Sequence, residues 1–349
     1  MLVAGCAAPP VKQQPSQEAA RPLSEVETAD VKKIPRSAQK YRGVTMLQTK
    51  EVGFDSELSE QSFRELAKTG ANAVALIPFL HQQNCQDDYC ELSDSVTDAQ
   101  LVWAIRRAHA QHLKVIVKPQ ILVEGAWAGL IEPQTDKGWQ DWFASYTQAL
   151  MHYAKIAQAE GAEGFVIGTE LKRADGQPHW AALIKSVRGA YGGMLTYAAH
   201  NHDSISAFEH WDMLDEIGVT LYPPLGPVPS RDMMQKKVEA VVATLEDLSR
   251  QYNKKIFVLE VGSPSVVNIQ ATPWDRPKGC EVQPDANLQA TIVDIWLNAL
   301  RKPWVSGVLV WDWHSDPYAG GRFDTDFTIQ NKPAQDVVSC HWAGKCVLP

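Results

Sequence analysis

The stretch from Gly161 to Leu171, GAEGFVIGTEL, decides the fold that the rest of the chain is expected to adopt. Its centre, Phe165 to Ile167, is a short apolar run with glycine on both sides, which is typical of a buried strand in a parallel sheet. Glu170 follows this run, and an acid cannot remain unpaired in a dry core. The stretch therefore predicts a buried strand that delivers a carboxylate at its end.

A second stretch later in the chain repeats this pattern. Lys255 to Ser263 reads KIFVLEVGS and delivers Glu260 in the same way. Two carboxyl groups at the ends of two buried strands form the kind of pair that glycosidases use. We therefore interpret the rest of the chain as a scaffold that brings Glu170 and Glu260 together.

Strand and helix patterns alternate from Tyr41 onward. Apolar runs predict eight strands, at 42–47, 73–79, 113–118, 163–168, 194–199, 215–221, 255–260 and 305–311. Helical spacing of apolar residues is clearest at 138–160, 231–252 and 285–300. Eight strand–helix units predict a single α/β domain of the (β/α)8 TIM-barrel class over residues 41–349. A doubly wound open sheet is the alternative, but no glycine-rich phosphate loop follows the first strand.

The composition limits the partners that the chain can have. Its formal net charge of -8 argues against non-specific binding to nucleic acid. No apolar run reaches the ~18 residues of a membrane span. The chain contains 12 tryptophans, whose flat apolar faces suit sugar-binding clefts, although core packing accounts for most of any such set. We expect a monomer that acts on carbohydrate without a cofactor.

The N-terminus, MLVAGCAAPP, predicts export. Val3 to Cys6 resembles a bacterial lipobox, in which the cysteine is lipidated, although the apolar residues ahead of it are fewer than the ~7–15 of a signal peptide. A chance match is the alternative. Residues 7–40 are rich in Pro, Gln, Ser, Glu and Lys, which is typical of a disordered tether. We therefore predict a signal remnant at 1–6, a tether at 7–40 and a protein of the bacterial envelope, either secreted or held only by a lipid.

The remaining cysteines agree with an oxidising compartment. Two local pairs are separated by short polar loops, and each is expected to form a disulfide: Cys85 with Cys90, and Cys340 with Cys346. Cys280 is left over as a free thiol. No C-x-x-C pair accompanies these positions, so a zinc site is disfavoured and no metal is expected.

Function in a (β/α)8 barrel sits at the C-terminal ends of the strands. Besides the two glutamates, the candidates there are Lys118, Gln120, Trp127, Thr169, His200, Asn201, Tyr222, Trp274, Trp311 and Asp312. Flat aromatic faces among hydrogen-bonding groups match the apolar ring faces and hydroxyl edges of a sugar. The HNHD run at 200–203 is interpreted as a substrate-contact loop, because adjacent strand-end residues rarely converge on one metal ion.

Longer motifs follow one another in order between residues 41 and 340. They are VIVKPQI, DWFASYTQALMHYAKIAQAEGAEGFVIGTEL, DEIGVTLYPPL, FVLEVGSPS with ATPWD, and FTIQNKPAQDVV. This ordered set resembles glycoside hydrolase family 113 and its TIM-barrel relatives. The resemblance implies a retaining glycosidase that acts on β-1,4-mannan.

The resemblance also implies roles for individual residues. Glu170 would be the acid/base, Glu260 the nucleophile, Tyr222 the residue that positions the nucleophile, and Trp311 the floor of the sugar subsite. The wider clan usually has Asn where this chain has Thr169, and it often has His where this chain has Gln120. Both departures leave the identity of the sugar open. Tyr222 and the cleft tryptophans could instead serve only in packing. Asp312 could instead be a loop acid that does not contact substrate.

The chemistry places demands on both glutamates. Retention requires carboxyl groups ~5–5.5 Å apart, and the fourth and seventh strands face each other across the barrel. Glu170 must hold a proton, so we expect the nearby carboxylate and an apolar wall to raise its pKa. Two other hypotheses remain open, namely a non-catalytic glycan-binding envelope lipoprotein on the same barrel and a retaining glycosidase for another β-glycan.

Overall fold

The computed structural model describes residues 31–35, 39–276, 279, 281–344 and 346. In this part of the chain, eight parallel strands close into a barrel. They are β1 (Tyr41–Leu47), β2 (Ala73–Leu76), β5 (Lys114–Val117), β7 (Gly164–Thr169), β8 (Met194–His200), β9 (Ile217–Leu221), β10 (Ile256–Val261) and β11 (Val305–His314). The pairing of β1 with both β2 and β11 closes the ring. The predicted (β/α)8 class is confirmed, and all eight predicted strands are present.

Helices cover the outside of this ring. Those within the described residues are α1 (Glu57–Lys68), α2 (Asp98–Ala110), α3 (Asp136–Glu160), α4 (Trp180–Arg188), α5 (Arg231–Tyr252), α6 (Ala286–Ala299) and α7 (Pro333–Ala343). Short 3-10 turns lie at Ala128–Leu130, His202–Ala207, Trp211–Met213 and Ile269–Ala271. None of these helices is long and apolar enough to cross a membrane.

Helix α3 shows how the sequence sets the position of the decisive strand. Thr135 begins the helix by accepting a hydrogen bond from the Gly138 amide at 3.0 Å, and Gly161 ends it in the left-handed region at φ 72°. The apolar face predicted from helical spacing is buried, as expected. Tyr146 on this face donates to the carbonyl of Ile167 at 2.9 Å, which ties the helix directly to β7.

The barrel interior is filled by inward-facing side chains from alternate strand positions. They form one cluster: Tyr41, Ala73, Ala75, Ile116, Val166, Met194, Ala198, Phe257, Leu259 and Leu309. Close packing also requires a glycine on β1, because a Cβ at Gly43 would lie 1.8 Å from the Ala73 carbonyl oxygen. The helices pack against the outer faces of the same strands and form the larger hydrophobic core.

A second, smaller sheet was not anticipated from the sequence. It contains β3 (Phe79–Gln82), β4 (Glu91–Leu92) and β6 (Gln120–Val123), in the order β4-β3-β6. Proline lacks the N–H that a ladder needs, so Pro78 ends β2 and Pro119 ends β5. The chain resumes as β3 and β6, which pair in parallel and extend one side of the barrel beyond its rim.

The two predicted disulfides have opposite outcomes. Cys340 and Cys346 are bonded, as expected. The prediction for Cys85 and Cys90 is wrong, because both are buried free thiols. Their loop is closed by hydrogen bonds instead, since the Asn84 amide donates to Asp87 Oδ2 at 3.0 Å and the Cys90 amide donates to Ser145 on α3 at 3.0 Å. Cys280 lies outside the described residues.

The last part of the predicted tether contacts the barrel. Gln158 Nε2 donates to the Lys32 carbonyl at 2.9 Å, and the Ile34 amide donates to the Gly192 carbonyl at 3.3 Å. Ile34 also packs against the outer core. Cys6 and residues 7–30 lie outside the described residues, so the lipid anchor and the greater part of the tether remain predictions.

Candidate active site

The carboxyl ends of the barrel strands open into a cleft of about 710 Å³. Active sites of (β/α)8 barrels lie at this end of the strands. Glu170, directly after β7, and Glu260, within β10, both line the cleft. The other lining residues are Gln120, Ile121, Leu122, Val123, Ala126, Trp127, Ala128, Thr169, His200, Asn201, Tyr222, Pro224, Trp274, Arg276, Trp311 and Phe327. The two predicted carboxylates therefore meet in one cleft.

Glu260 is held by three donors. It is 5% exposed and lies near the end of β10. Lys118 Nζ and Gln120 Nε2 both donate to Oε1, the latter at 2.8 Å. The Tyr222 hydroxyl donates to Oε2 at 2.9 Å. Lys118 is fully buried and lies over the Trp311 ring, so it acts on Glu260 rather than on the open cleft. These contacts fix both carboxyl oxygens in place.

The pKa of Glu260 reflects a balance of burial and charge. Burial raises it above its usual value, and the negative charge of Glu170 raises it further. The Lys118 cation opposes both effects, because it favours the ionised carboxylate. The pKa of Glu260 stays above its usual value, so the lysine limits the rise without cancelling it.

Glu170 is held by a different set of donors. The Trp127 indole N–H donates to Oε2 at 2.8 Å, and the Thr220 hydroxyl donates to Oε1 at 2.5 Å. His200 Nδ1 lies 3.2 Å from Oε1, although the ring is turned away from a good hydrogen-bond angle. Glu170 itself has a positive φ of 57°, a left-handed conformation that non-glycine residues rarely adopt.

A chain of hydrogen bonds sets the tautomer of His200. The Tyr222 amide donates to Asn201 Oδ1 at 2.8 Å, which leaves the Asn201 amide nitrogen to donate to His200 Nε2 at 3.2 Å. A ring nitrogen that accepts a hydrogen bond carries no proton, so the proton of the neutral ring resides on Nδ1. Nδ1 is the nitrogen that faces Glu170.

The expected rise in the pKa of Glu170 is wrong. Burial does raise this pKa and is the largest single influence. The contacts from His200, Thr220 and Trp127 together outweigh it, and the pKa lies below its usual value. Donors that point at a carboxyl group stabilise its anion, and the sequence did not show how many would converge.

Three further predicted residues occupy distinct places around the pair. Thr169 lines the cleft with a buried hydroxyl that has no partner among the described atoms. Trp274 is 51% exposed and presents an open aromatic face at the rim. Asp312 does not reach the cleft, because it is 1% exposed behind Trp311 and lies 3.6 Å from His314 Nε2. The prediction that Asp312 contacts substrate is therefore not supported by its position.

Some cleft residues had not been anticipated. Thr220 lies inside the apolar strand IGVTL, and one hydroxyl among apolar residues does not indicate a functional site. Arg276 and Phe327 lie in loops that contain no recognisable motif. Ile121 and Leu122, from the unanticipated sheet, form an apolar wall. Among the described residues no group of three or more His, Cys, Asp or Glu is arranged to hold a metal ion.

The sequence matches the model of Glycoside Hydrolase Family 113 over residues 45–332. The chain belongs to glycoside hydrolase family 113. The match begins within β1 and ends directly before α7, so it includes both glutamates, and family 113 membership makes the chain a glycoside hydrolase. No curated protein matches the sequence.

Solved family 113 structures agree with this assignment. The β-mannanase AaManA from Alicyclobacillus acidocaldarius, in complex with ManMIm, has a TM-score of 0.79 at 27% identity, over 88% of this chain and 98% of that chain. A complex structure of a GH113 β-1,4-mannanase has a TM-score of 0.75 at 28% identity, over 87% and 99%. The GH5_18 protein from Bifidobacterium longum, at 12% identity and a TM-score of 0.58, shares the fold.

Removing one donor from Glu170 should shift the pH profile in a defined direction. We expect Thr220→Val to raise the pKa of Glu170, because one hydrogen bond that favours the anion is lost. A hydrogen bond to a charged group is worth ~1.5 kcal/mol, so the shift should be about one pH unit. Activity that needs protonated Glu170 is lost as pH rises, so the basic limb of kcat/KM should move to higher pH.

The matched control for this prediction is Thr244→Val, at an exposed position on α5 where the hydroxyl donates to the Ala240 carbonyl. Its pH profile should coincide with that of the parent. A basic limb that is unchanged or moves to lower pH in Thr220→Val would contradict the assigned contact.

Proposed function

We propose that this family 113 enzyme hydrolyses β-1,4-mannan with retention of anomeric configuration, using Glu260 as nucleophile and Glu170 as acid/base. The observation that carries the proposal is the pair itself, two carboxyl groups that line one cleft. Glu260 is buried and held by three donor side chains, whereas Glu170 is partly buried and held by two, with His200 Nδ1 3.2 Å away. One carboxylate is paired with a lysine cation and the other with a histidine and neutral donors. This asymmetry suits two carboxyl groups with different tasks.

The first step forms a glycosyl ester. An oxygen of Glu260 bonds to the anomeric carbon as the glycosidic C–O bond breaks, and Glu170 transfers its proton to the departing oxygen. Tyr222 holds Oε2 of Glu260, while Lys118 and Gln120 hold Oε1, so the attacking carboxylate cannot rotate away. Positioned groups of this kind lower the entropic part of the barrier.

The second step releases the sugar. Glu170, now a carboxylate, takes a proton from water while the water oxygen bonds to the anomeric carbon and the ester bond to Glu260 breaks. Glu170 regains its proton and Glu260 returns as an anion. Two inversions at one carbon give net retention.

The first step needs a protonated Glu170, although its donors favour the anion. Trp127 is the donor nearest to solvent, at 37% exposed, and its indole lies at the cleft wall beside the carboxyl group. We infer that a bound sugar displaces this indole and excludes water, and both effects raise the pKa of Glu170. The proton that Glu170 takes from water in the second step is the proton that it gives to the leaving oxygen in the next turnover.

The cleft also supports the proposed substrate class. Trp311, which is 9% exposed, lines its buried end beside Glu260, while Trp127 and Trp274 offer exposed faces towards the rim. Aromatic faces of this kind stack on the apolar faces of sugar rings. The family 113 structures at 27% and 28% identity are named as β-mannanases, which favours mannan over other β-glycans.

A panel of polysaccharides tests the substrate. We expect reducing-sugar release from β-mannan with a kcat/KM at least ~10-fold above that on xylan or β-glucan, because family resemblance and cleft chemistry favour mannan. The control is Glu260→Gln, which keeps the shape of the side chain and removes the nucleophile. Preference for xylan or glucan would identify another β-glycan as substrate, and binding without turnover in the parent would favour the non-catalytic hypothesis.

Chemical rescue tests the two catalytic roles. Glu260→Ala should lose several orders of magnitude in turnover on every substrate, because the nucleophile is gone. Glu170→Ala should retain its first step on aryl glycosides with good leaving groups, which need no proton. Azide should then give a β-glycosyl azide with Glu170→Ala and the α-anomer with Glu260→Ala. An inverted product from the parent enzyme, or full activity of Glu260→Ala, would contradict the assignment.

We also propose that the enzyme is exported and anchored by a lipid on Cys6. The lipobox-like Val3 to Cys6 and the polar residues that follow support this, and the Cys340–Cys346 disulfide is consistent with an oxidising compartment. Expression of the full-length gene in a bacterium fed labelled palmitate should give a labelled protein in the membrane fraction. Cys6→Ala should remove the label, and an unlabelled cytoplasmic parent protein would refute the proposal.

A further inference from the structure

The backbone of Glu170 is held in an unfavourable conformation. Its left-handed φ of 57° is unfavourable for a non-glycine residue, and such residues persist where the surroundings fix them. The Glu170 amide donates to the Ala198 carbonyl at 2.8 Å, and the Lys172 amide donates to the Glu170 carbonyl at 2.8 Å. These two bonds tie the residue to β8 and to the loop that follows.

A third bond comes from a buried tyrosine. The amide of Leu171, the residue after Glu170, donates to the Tyr197 hydroxyl at 2.9 Å. Tyr197 in turn donates its own proton to Asp175 Oδ1 at 2.5 Å. The carboxylate therefore fixes the direction of the hydroxyl proton and leaves an oxygen lone pair for the Leu171 amide.

This Leu171–Tyr197–Asp175 chain of hydrogen bonds lowers the stability of the folded protein. Tyr197 is fully buried and Asp175 is 1% exposed, and the second carboxyl oxygen of Asp175 has no partner among the described atoms. Burial raises the pKa of Asp175 to about 7, against the lowering influence of the Tyr197 hydrogen bond. A turn that needed only stability could be built from apolar groups, since an incompletely paired buried carboxyl group is destabilising.

The aromatic packing of Tyr197 does not need its hydroxyl. Its ring stacks on Phe208 with centroids 4.4 Å apart and lies tilted against Trp180 at 5.3 Å. A Cβ at Gly168 would lie 2.9 Å from Tyr197 Cε2, so the glycine allows the ring to pass under the end of β7. Phenylalanine would fill the same space, and the hydroxyl is left with the single task of binding Leu171 and Asp175.

We propose that Tyr197 and Asp175 are positioning residues, which act through the Leu171 amide to hold the backbone of Glu170 and so aim its carboxyl group at the leaving-group oxygen. The proposal rests on the acid/base role proposed for Glu170. Neither Tyr197 nor Asp175 is among the residues that line the cleft. Their effect on kcat/KM, which reports the first step, should therefore appear only where that step needs proton transfer to the leaving group.

Dependence on the leaving group separates positioning from general stability. In Tyr197→Phe we expect kcat/KM on mannan, a poor leaving-group substrate, to fall ~10- to 100-fold, because a small misplacement of a catalytic group has that effect. On 2,4-dinitrophenyl β-mannoside, whose leaving group needs no proton, the fall should be below ~3-fold. Glu170→Ala should show the same pattern with a larger difference.

The matched control is Tyr191→Phe. Tyr191 is also fully buried, and its hydroxyl donates to the Ala162 carbonyl at 2.7 Å, at the opposite end of β7. Its loss should change both substrates by the same factor. Asp175→Asn keeps an oxygen acceptor for Tyr197 and should retain more activity on mannan than Asp175→Ala, which also provides a test if Tyr197→Phe fails to fold.

The outcomes distinguish this proposal from the proposed function. Equal losses on both substrates in Tyr197→Phe, or equal activity of Asp175→Asn and Asp175→Ala on mannan, would overturn the positioning role while Glu170→Ala still showed its leaving-group dependence. Absence of that dependence in Glu170→Ala itself would instead overturn the acid/base assignment.

Discussion

A buried ion pair between Lys118 and Glu260 is the constraint on which the rest of the site depends. It joins the ends of β5 and β10 across the barrel, and neither charge has useful access to water. Such a pair is tolerable only when its remaining hydrogen-bonding groups are satisfied, and removing one partner costs about 3–5 kcal/mol. Gln120, at the start of β6, and Tyr222, directly after β9, satisfy the carboxylate. The closed barrel, with each strand in fixed register, holds these four side chains together.

The two carboxyl groups of the cleft are therefore built on different principles. Glu260 lies within β10, at a register shift against β9, and a cation opposes the effect of burial on its pKa. Glu170 lies just beyond its strand, with a strained backbone and mostly neutral donors. The first arrangement suits a nucleophile that must attack without a proton, and the second suits a group that must exchange a proton twice in each turnover.

The sequence was sufficient to predict the barrel and the two glutamates, because apolar runs such as 163–168 and the helical stripe of 138–160 carry strong local patterns. It did not predict the small sheet. Pro78 and Pro119 interrupt the strand pattern after β2 and β5, so the strands β3 and β6 that follow them were not recognised as separate elements. The lowered pKa of Glu170 was also missed. It depends on Trp127, Thr220 and His200, which come from separate loops and strands and meet only in the folded protein.

The docking of Lys32 and Ile34 has a consequence for access of long substrates. Gly192, which binds Ile34, lies just before β8, so the chain enters the barrel at the pole opposite the cleft. A stiff polysaccharide strand needs open space on both sides of the bond that is cut. Because Lys32 and Ile34 lie at the far pole, this part of the chain leaves the rim clear, and a long polymer can extend past the cut bond in both directions without meeting it.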